Sequence, residues 1–242
     1  MDPSSPEPEM SEPDPKGPAV TIAHRAGNRR SVLTSAIRAG VDLIEADIWL
    51  HRGRLVARHA KALGPLPIHY DRWYVKPALR RLLTLDDLIH HTRGAGPRLF
   101  LDLKGQDPRI AQAVVETLRR HDALAGAGVC SQVWGPLDEI ARLAPEVAVS
   151  YSVGYAEQLP RLWDRLRRDP DFHAVSINHR LLTRETVEEI KGYAVRVYAW
   201  TVDDPARAAR LLAWGVDGIT SNNLRLLTGL RSAAAQPATA AS

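Results

Sequence analysis

Three short segments carry charged side chains where the pattern around them is that of a buried strand. His24-Arg25 closes one apolar run, Glu45-x-Asp47 lies inside a second, and Asp102-x-Lys104 ends a third. Residues two apart on a strand share a face, so each spaced pair points one way. Inward carboxylates are costly unless paired or bound to a cation. Glu45, Asp47 and Asp102 converging on one mouth would make the all-oxygen set that a hard divalent ion, Mg²⁺ or Ca²⁺, accepts. His24, and His59 behind the apolar run Leu55–Ala57, titrate near neutrality and suit a general base and a general acid. Arg25 and Lys104 add fixed positive charge for non-bridging phosphate oxygens. The chemistry that needs all of these is phosphoryl transfer, with a metal to polarise phosphate and two histidines to move protons. A buried ion pairing of Glu45 and Asp47 with Arg25 and Lys104, without metal, accounts for the same inward carboxylates.

Other features point away from competing chemistries. The chain has no serine in a Gly-x-Ser-x-Gly turn and no phosphate-cradling glycine loop. His51, His69, His90, His91, His121, His173 and His179 have no motif around them and read as surface or satisfied core residues. Cys130 stands alone, so it forms no internal disulfide and reads as a small buried strand residue. Asp217, in Val-Asp-Gly-Ile, reads as the close of a turn.

Elements able to position these groups follow one another regularly. Strand patterns cover Val20–His24, Leu43–Trp49, Leu99–Lys104, Val129–Val133, Ala148–Val153, Ala174–Asn178, Val195–Val202 and Gly218–Thr220. Helical patterns cover Arg30–Ala39, Leu85–Thr92, Pro108–Arg120, Pro136–Leu143, Glu157–Arg168, Arg184–Lys191, Pro205–Trp214 and Asn222–Gly229. Alternation of this kind is the signature of a parallel α/β sheet. Eight such units predict a single-domain (β/α)₈ TIM barrel over residues 18–231, with an open doubly wound sheet as the alternative. Thr183 is expected to cap its helix, and Pro136 and Pro205 suit a first helical turn. After the second strand, Arg52–Arg54 turns the chain back through Leu55–Ala57. A long segment, Lys61–Leu83, then holds Tyr70, Trp73 and Tyr74, the pattern of a functional loop lining a pocket or of a self-packed surface loop.

The 242 residues suit one barrel, whose usual length is about 250. Residues 1–17 are acidic and proline-rich, and 232–242 lack apolar periodicity, so both are expected to be disordered tails. The net charge of +4 gathers on the body, since the first tail is acidic. That balance suits an anionic small molecule, while the arginines are spread along helix faces and give no nucleic-acid stripe. No apolar run is long enough to cross a membrane, and the start resembles no secretory signal, so the expectation is a cytoplasmic protein.

Five segments in order carry a family resemblance. They are Ile22-Ala23-His24-Arg25, Leu43-Ile44-Glu45-Ala46-Asp47-Ile48 with Leu55-Val56-Ala57-Arg58-His59, Thr84-Leu85-Asp86-Asp87-Leu88, Phe100-Leu101-Asp102-Leu103-Lys104, and the closing pair Val197–Asp203 with Gly215–Ser221. Together they resemble the glycerophosphodiester phosphodiesterases. The resemblance implies His24 and His59 as the acid–base pair, Glu45, Asp47 and Asp102 as ligands of Mg²⁺ or Ca²⁺, and Arg25 and Lys104 on phosphate. It also implies Trp200 as a substrate wall and attack by the substrate's own neighbouring hydroxyl, through a cyclic phosphate. The substrate so implied is a small-molecule or lysolipid phosphodiester. Departures are a replaced block at Ala26–Ser31, Ala60 after His59, Asp102 where the family usually has Glu, and Thr220-Ser221 for its closing Thr-Asp. These leave two alternatives, a lysophospholipase D- or sphingomyelinase D-like lipid enzyme and a degenerate non-catalytic binding barrel.

Overall fold

The computed structural model describes residues 18–59, 61–62, 68–71, 74–77 and 82–235. Among these described residues twelve strands are formed: β1 (Val20–Ala23), β2 (Leu43–His51), β3 (Arg54–Ala57), β4 (Lys61–Ala62), β5 (Ile68–Asp71), β6 (Tyr74–Pro77), β7 (Arg98–Lys104), β8 (Ala127–Ser131), β9 (Ala148–Val153), β10 (Ala174–Asn178), β11 (Arg196–Trp200) and β12 (Gly218–Ser221). The helices are α1 (Arg30–Arg38), α2 (Leu85–Thr92), α3 (Arg109–Arg120), α4 (Gly135–Leu143), α5 (Leu159–Arg168), α6 (Arg184–Lys191), α7 (Pro205–Trp214) and α8 (Leu224–Ala235).

Eight strands close on themselves in the order β1-β2-β7-β8-β9-β10-β11-β12, every neighbouring pair parallel. Closure runs through β1, which pairs with β12 from Val20↔Gly218 to Ala23↔Ser221 and with β2 at Ile22↔Leu43. This is the (β/α)₈ barrel that the alternating pattern predicts. The open-sheet alternative fails because both edges of β1 are occupied.

Period-two alternation sorts the side chains into two cores. One face of the strands packs against the helices through residues such as Ile44, Ile48, Leu101, Val129, Val175 and Ile219. The other face fills the barrel interior, where Ile22, Leu43, Phe100, Cys130, Ala174 and Tyr198 form a second apolar cluster. Nearer the strands' C-terminal ends that inner face turns polar, with Glu45, Asp102, Ser152, Ser176 and Thr220. Cys130 is buried in this interior, as its sequence context predicts.

Local signals explain several element ends. Thr84 and Asp87 form a reciprocal capping box that starts α2. Thr183 accepts from the Thr186 amide at the start of α6, and Pro136 and Pro205 lie in the first turns of α4 and α7. Arg52 and Gly53, at φ 49° and 74°, make the two-residue turn that folds β3 antiparallel onto β2. Several element ends shift by one or two residues, as for β8, found at Ala127–Ser131 where the pattern gave Val129–Val133, and two differences are larger. Helix α8 continues to Ala235, past residue 231, because Ser232–Ala235 is a run of good or neutral helix formers. The segment after His59, expected to be a loop, contains the small antiparallel sheet β4-β5-β6. The side chains of Tyr70, Trp73 and Tyr74 lie outside the described residues, as do the tails 1–17 and 236–242.

One side chain ties the barrel's first strands to its last helix. Asp42, just before β2, accepts from the Thr21 amide at 2.8 Å and the Thr21 hydroxyl at 2.7 Å, and it pairs with Arg231 of α8. Burial opposes its charge, but the hydrogen bonds from Thr21 and Arg231 outweigh it and hold the carboxyl below its ordinary value. A depressed folded pKa stabilises the fold above the unfolded value, and that contribution is lost as pH falls through the folded one. Asp42→Asn is expected to cost about 1 kcal/mol at neutral pH in urea unfolding, with the gap to wild type closing below about pH 4. A gap unchanged at acid pH would count against this role.

Candidate active site

A cavity of about 730 Å³ opens at the C-terminal ends of the strands, and its wall includes His24, Arg25, Glu45, Asp47, His59, Asp102, Lys104 and Trp200. All eight residues that the sequence nominates therefore line one space. The mouth formed by loops after the strands is where barrels of this kind carry their chemistry.

The β2–β7 register builds the acidic centre. Asp47 lies directly beside Asp102, and Glu45 is two residues below Asp47 on the same face. Glu45, Asp47 and Asp102 each offer an oxygen, and these atoms lie within 4.8 Å of one another. Glu45 and Asp47 are buried. Burial, then the charges of Asp47 and Asp102, push the Glu45 carboxyl well above the ordinary range. Burial likewise raises Asp102, against the opposing charge of Lys104. Asp47 goes the other way: burial opposes its ionisation, but His59, Lys104 and the Asn28 amide hold it below the carboxylate range. An all-oxygen cluster in which burial drives Glu45 and Asp102 toward their protonated forms is a donor set that fits a hard divalent cation.

Lys104 is drawn into this cluster. Its ammonium lies 2.9 Å from Asp47 Oδ1 and contacts Asp102, and despite the cost of burial the two carboxylates raise its pKa. The sequence assigns Lys104 to phosphate, whereas here it serves the carboxylates first. Arg25 stands at the rim, its Nε 3.6 Å from Asp47 Oδ2 with the side chain 41% exposed, so its outer nitrogens can still meet an arriving anion.

The loop after β1 shapes the other side. Arg25 adopts the left-handed region at φ 54°, which turns its backbone amide onto Glu45. A short 3₁₀ turn, Ala26–Asn28, follows and brings Asn28 over β2. Asn28 Nδ2 donates to Asp47 Oδ2 at 2.6 Å, and its Oδ1 accepts from the Asp47 amide at 3.0 Å. Sequence reading passed over Asn28 because it lies in the replaced block, where no periodicity marks it. Gly27 makes this approach feasible, since a Cβ there would lie 2.5 Å from the Ala46 Cβ.

The two histidines flank the carboxylates differently. His59 Nδ1 is 3.5 Å from Asp47 Oδ2, and its segment is held by a Trp49 Nε1 bond to the Arg58 carbonyl at 3.0 Å. His24 Nδ1 meets Asn222 Oδ1 at 2.9 Å, and Asn222 in turn is held by Asp203. Burial first, then the nearby Arg25 charge, lower the His24 pKa to about 4, so its imidazole is neutral at pH 7. Trp200 lines the cavity from the end of β11.

Comparison with known proteins places this site in context. The model of the glycerophosphoryl diester phosphodiesterase family matches residues 196–225. A glycerophosphodiester phosphodiesterase of Arabidopsis thaliana is 27% identical over 226 residues, covering 84% of this chain and 68% of that protein. One of Bacillus subtilis is 21% identical over 245 residues, covering 84% and 83%. Among solved structures, a glycerophosphodiester phosphodiesterase of Parabacteroides distasonis superposes with a TM-score of 0.70 at 23% identity, covering 90% of this chain and 100% of that one. An Oleispira antarctica phosphodiesterase in complex with the product sn-glycerol-3-phosphate does so at 0.71 and 22%, covering 89% and 96%. At those identities the structural likeness establishes a shared fold.

The close approach at Gly27 carries a test. Gly27→Ala forces Ala46 or the 3₁₀ turn to move, and is expected to cost about 1–3 kcal/mol of stability in a thermal or urea melt. A melt indistinguishable from wild type would show that the turn adjusts freely.

Proposed function

We infer, from its likeness in sequence and fold to the glycerophosphodiester phosphodiesterases and from the site just described, that this chain hydrolyses glycerophosphodiesters to an alcohol and glycerol phosphate. The observation that carries this reading is the meeting of three carboxylates, within 4.8 Å of one another, with two histidines on the wall of one cavity. The likeness to relatives supports the reaction class, and the cavity supports a small-molecule substrate.

The chain's own residues divide the work as follows. Arg25 receives a non-bridging phosphate oxygen at the rim, and Trp200 walls the glycerol end of the pocket. His24, kept neutral by burial, takes the proton of the substrate hydroxyl next to the phosphate, and that oxygen attacks phosphorus. The arriving anion offsets the Arg25 charge, the second of the two effects that depress the His24 pKa, and so returns part of its basicity. His59 protonates the departing alcohol, and a cyclic phosphate remains. Water then opens the ring with the two proton transfers reversed, and glycerol phosphate leaves. Tethering the nucleophile to the phosphate supplies the proximity advantage. Glu45, Asp47 and Asp102 would hold a divalent ion, Mg²⁺ or Ca²⁺, which supplies Lewis-acid polarisation of a phosphoryl oxygen.

Two tests follow from this reading. A bound ion stabilises only the folded chain. At about 100 times its dissociation constant it should add about 2.7 kcal/mol, a rise of about 5–10 °C in Tm for a domain of this size. Asp102→Asn should lose most of that rise while its metal-free melt stays close to wild type; equal shifts in both would remove Asp102 from the ligand set. With metal present, His24→Gln and His59→Gln should each lower kcat on glycerophosphocholine by at least about 100-fold without unfolding the chain. Lysophosphatidylcholine, assayed alongside, distinguishes an acylated substrate from a free glycerophosphodiester. Turnover of neither, or full activity in both variants, would reject the assignment.

A further inference from the structure

The contact behind His24 is a chain of three side chains whose hydrogen-bond directions are all determined. Asp203 Oδ1 accepts from the Ser221 hydroxyl and the Asn222 amide, each at 2.7 Å, and its Oδ2 accepts from Asn222 Nδ2 at 2.8 Å. An ionised carboxylate only accepts, so the Asn222 side-chain NH₂ must face Asp203. Asn222 Oδ1 is thereby turned toward His24 Nδ1, at 2.9 Å. An amide oxygen also only accepts, so the proton of the neutral imidazole must sit on Nδ1. The backbone repeats the link, since the His24 amide donates to the Ser221 carbonyl at 2.9 Å.

We propose that Asp203 and Asn222 are positioning residues that set the tautomer of His24, protonating Nδ1 and leaving Nε2 bare as the proton acceptor of the reaction. The proposal deepens the hydrolytic reading, because it names which nitrogen does the work attributed there to His24. Neither residue is part of the cavity wall; both act through the histidine.

The polarity of the chain makes an unusual substitution pattern testable. In Asp203→Asn the new amide keeps its oxygen on Ser221 and the Asn222 backbone, so its NH₂ faces the Asn222 side chain. Asn222 must then flip, present its own NH₂ to His24, and drive the imidazole proton to Nε2. In the double variant Asp203→Asn/Asn222→Asp the NH₂ of position 203 meets a carboxylate, which accepts from Nδ1 and restores the original tautomer. Asn222→Ala removes the director and leaves a mixture.

The experiment is ¹⁵N-detected imidazole NMR on the full chain at pH 7, with and without Mg²⁺, His24 being assigned by comparison with His24→Gln. Wild type should give a protonated Nδ1 and a bare Nε2, Asp203→Asn the reverse, Asn222→Ala an averaged pair, and the double variant the wild-type pattern. Kinetically, Asp203→Asn and Asn222→Ala should lower kcat by about 10- to 100-fold with KM little changed, and the double variant should recover most of that loss. A merely structural role would move the melting temperature of all three variants but not the nitrogen signals. A protonated Nε2 in wild type, or an unchanged pattern in Asp203→Asn, overturns the proposal. Should Asp203→Asn not fold, an unaveraged Asn222→Ala pattern overturns it equally. If the tautomers behave as described while wild type turns over no glycerophosphodiester, the hydrolytic reading falls and the hold of Asn222 on His24 stands.

Discussion

Three carboxylates within 4.8 Å of one another at one barrel mouth are the constraint around which this chain is built. Like charges at that separation repel strongly once water is withdrawn, and no single partner relieves all three. The parallel β2–β7 register makes the conflict unavoidable, because it sets Asp47 beside Asp102 and Glu45 beneath them. Lys104, two residues beyond Asp102 on the same face, offsets part of the charge. The remainder is expressed as opposed shifts, with Asp47 held ionised and Glu45 pushed toward its acid. A divalent cation would relieve the conflict, and the three oxygens lie close enough together to hold one.

The backbone around the cluster accepts local cost to serve it. Arg25 is a non-glycine residue at φ 54°, a conformation that costs about 1 kcal/mol, and in return its amide reaches Glu45. Gly27 lets the following turn touch Ala46, and only then can Asn28 bind both the side chain and the backbone of Asp47. The outer barrel core is conventional by comparison, with apolar strand residues against apolar helix faces. The scaffold's ordinary packing is what holds the unusual loop in place.

Legibility in the sequence followed the same division. Strand periodicity of two put Glu45 with Asp47 and Asp102 with Lys104 on shared faces, and the alternation of elements pointed to the barrel, because both rest on local repeat patterns. The cap at Thr183 was equally local. Asn28, Asp203 and Asn222 left no such trace. They act from loops, across separations of 19 residues for Asn28 to Asp47 and 198 for His24 to Asn222, and only the closed barrel brings those loops together. For Lys104 the spacing left two readings open, phosphate and ion pairing with the carboxylates, because it reveals a shared face and not which of several charges a side chain meets; in the folded chain it contacts Asp47 and Asp102.

The choice of an amide at position 222 fits the charge balance of the site. A carboxylate in direct contact with His24 would orient the ring as well, but it would also raise the imidazole pKa from the low value that burial and Arg25 impose. An amide oxygen orients without charge, at the expense of being free to flip. Asp203 removes that freedom while keeping its negative charge one residue further from the imidazole. Burial and Arg25 then keep His24 neutral and ready. The three carboxylates that could hold a cation thus stand together, while His24 meets an amide oxygen with the Asp203 charge behind it.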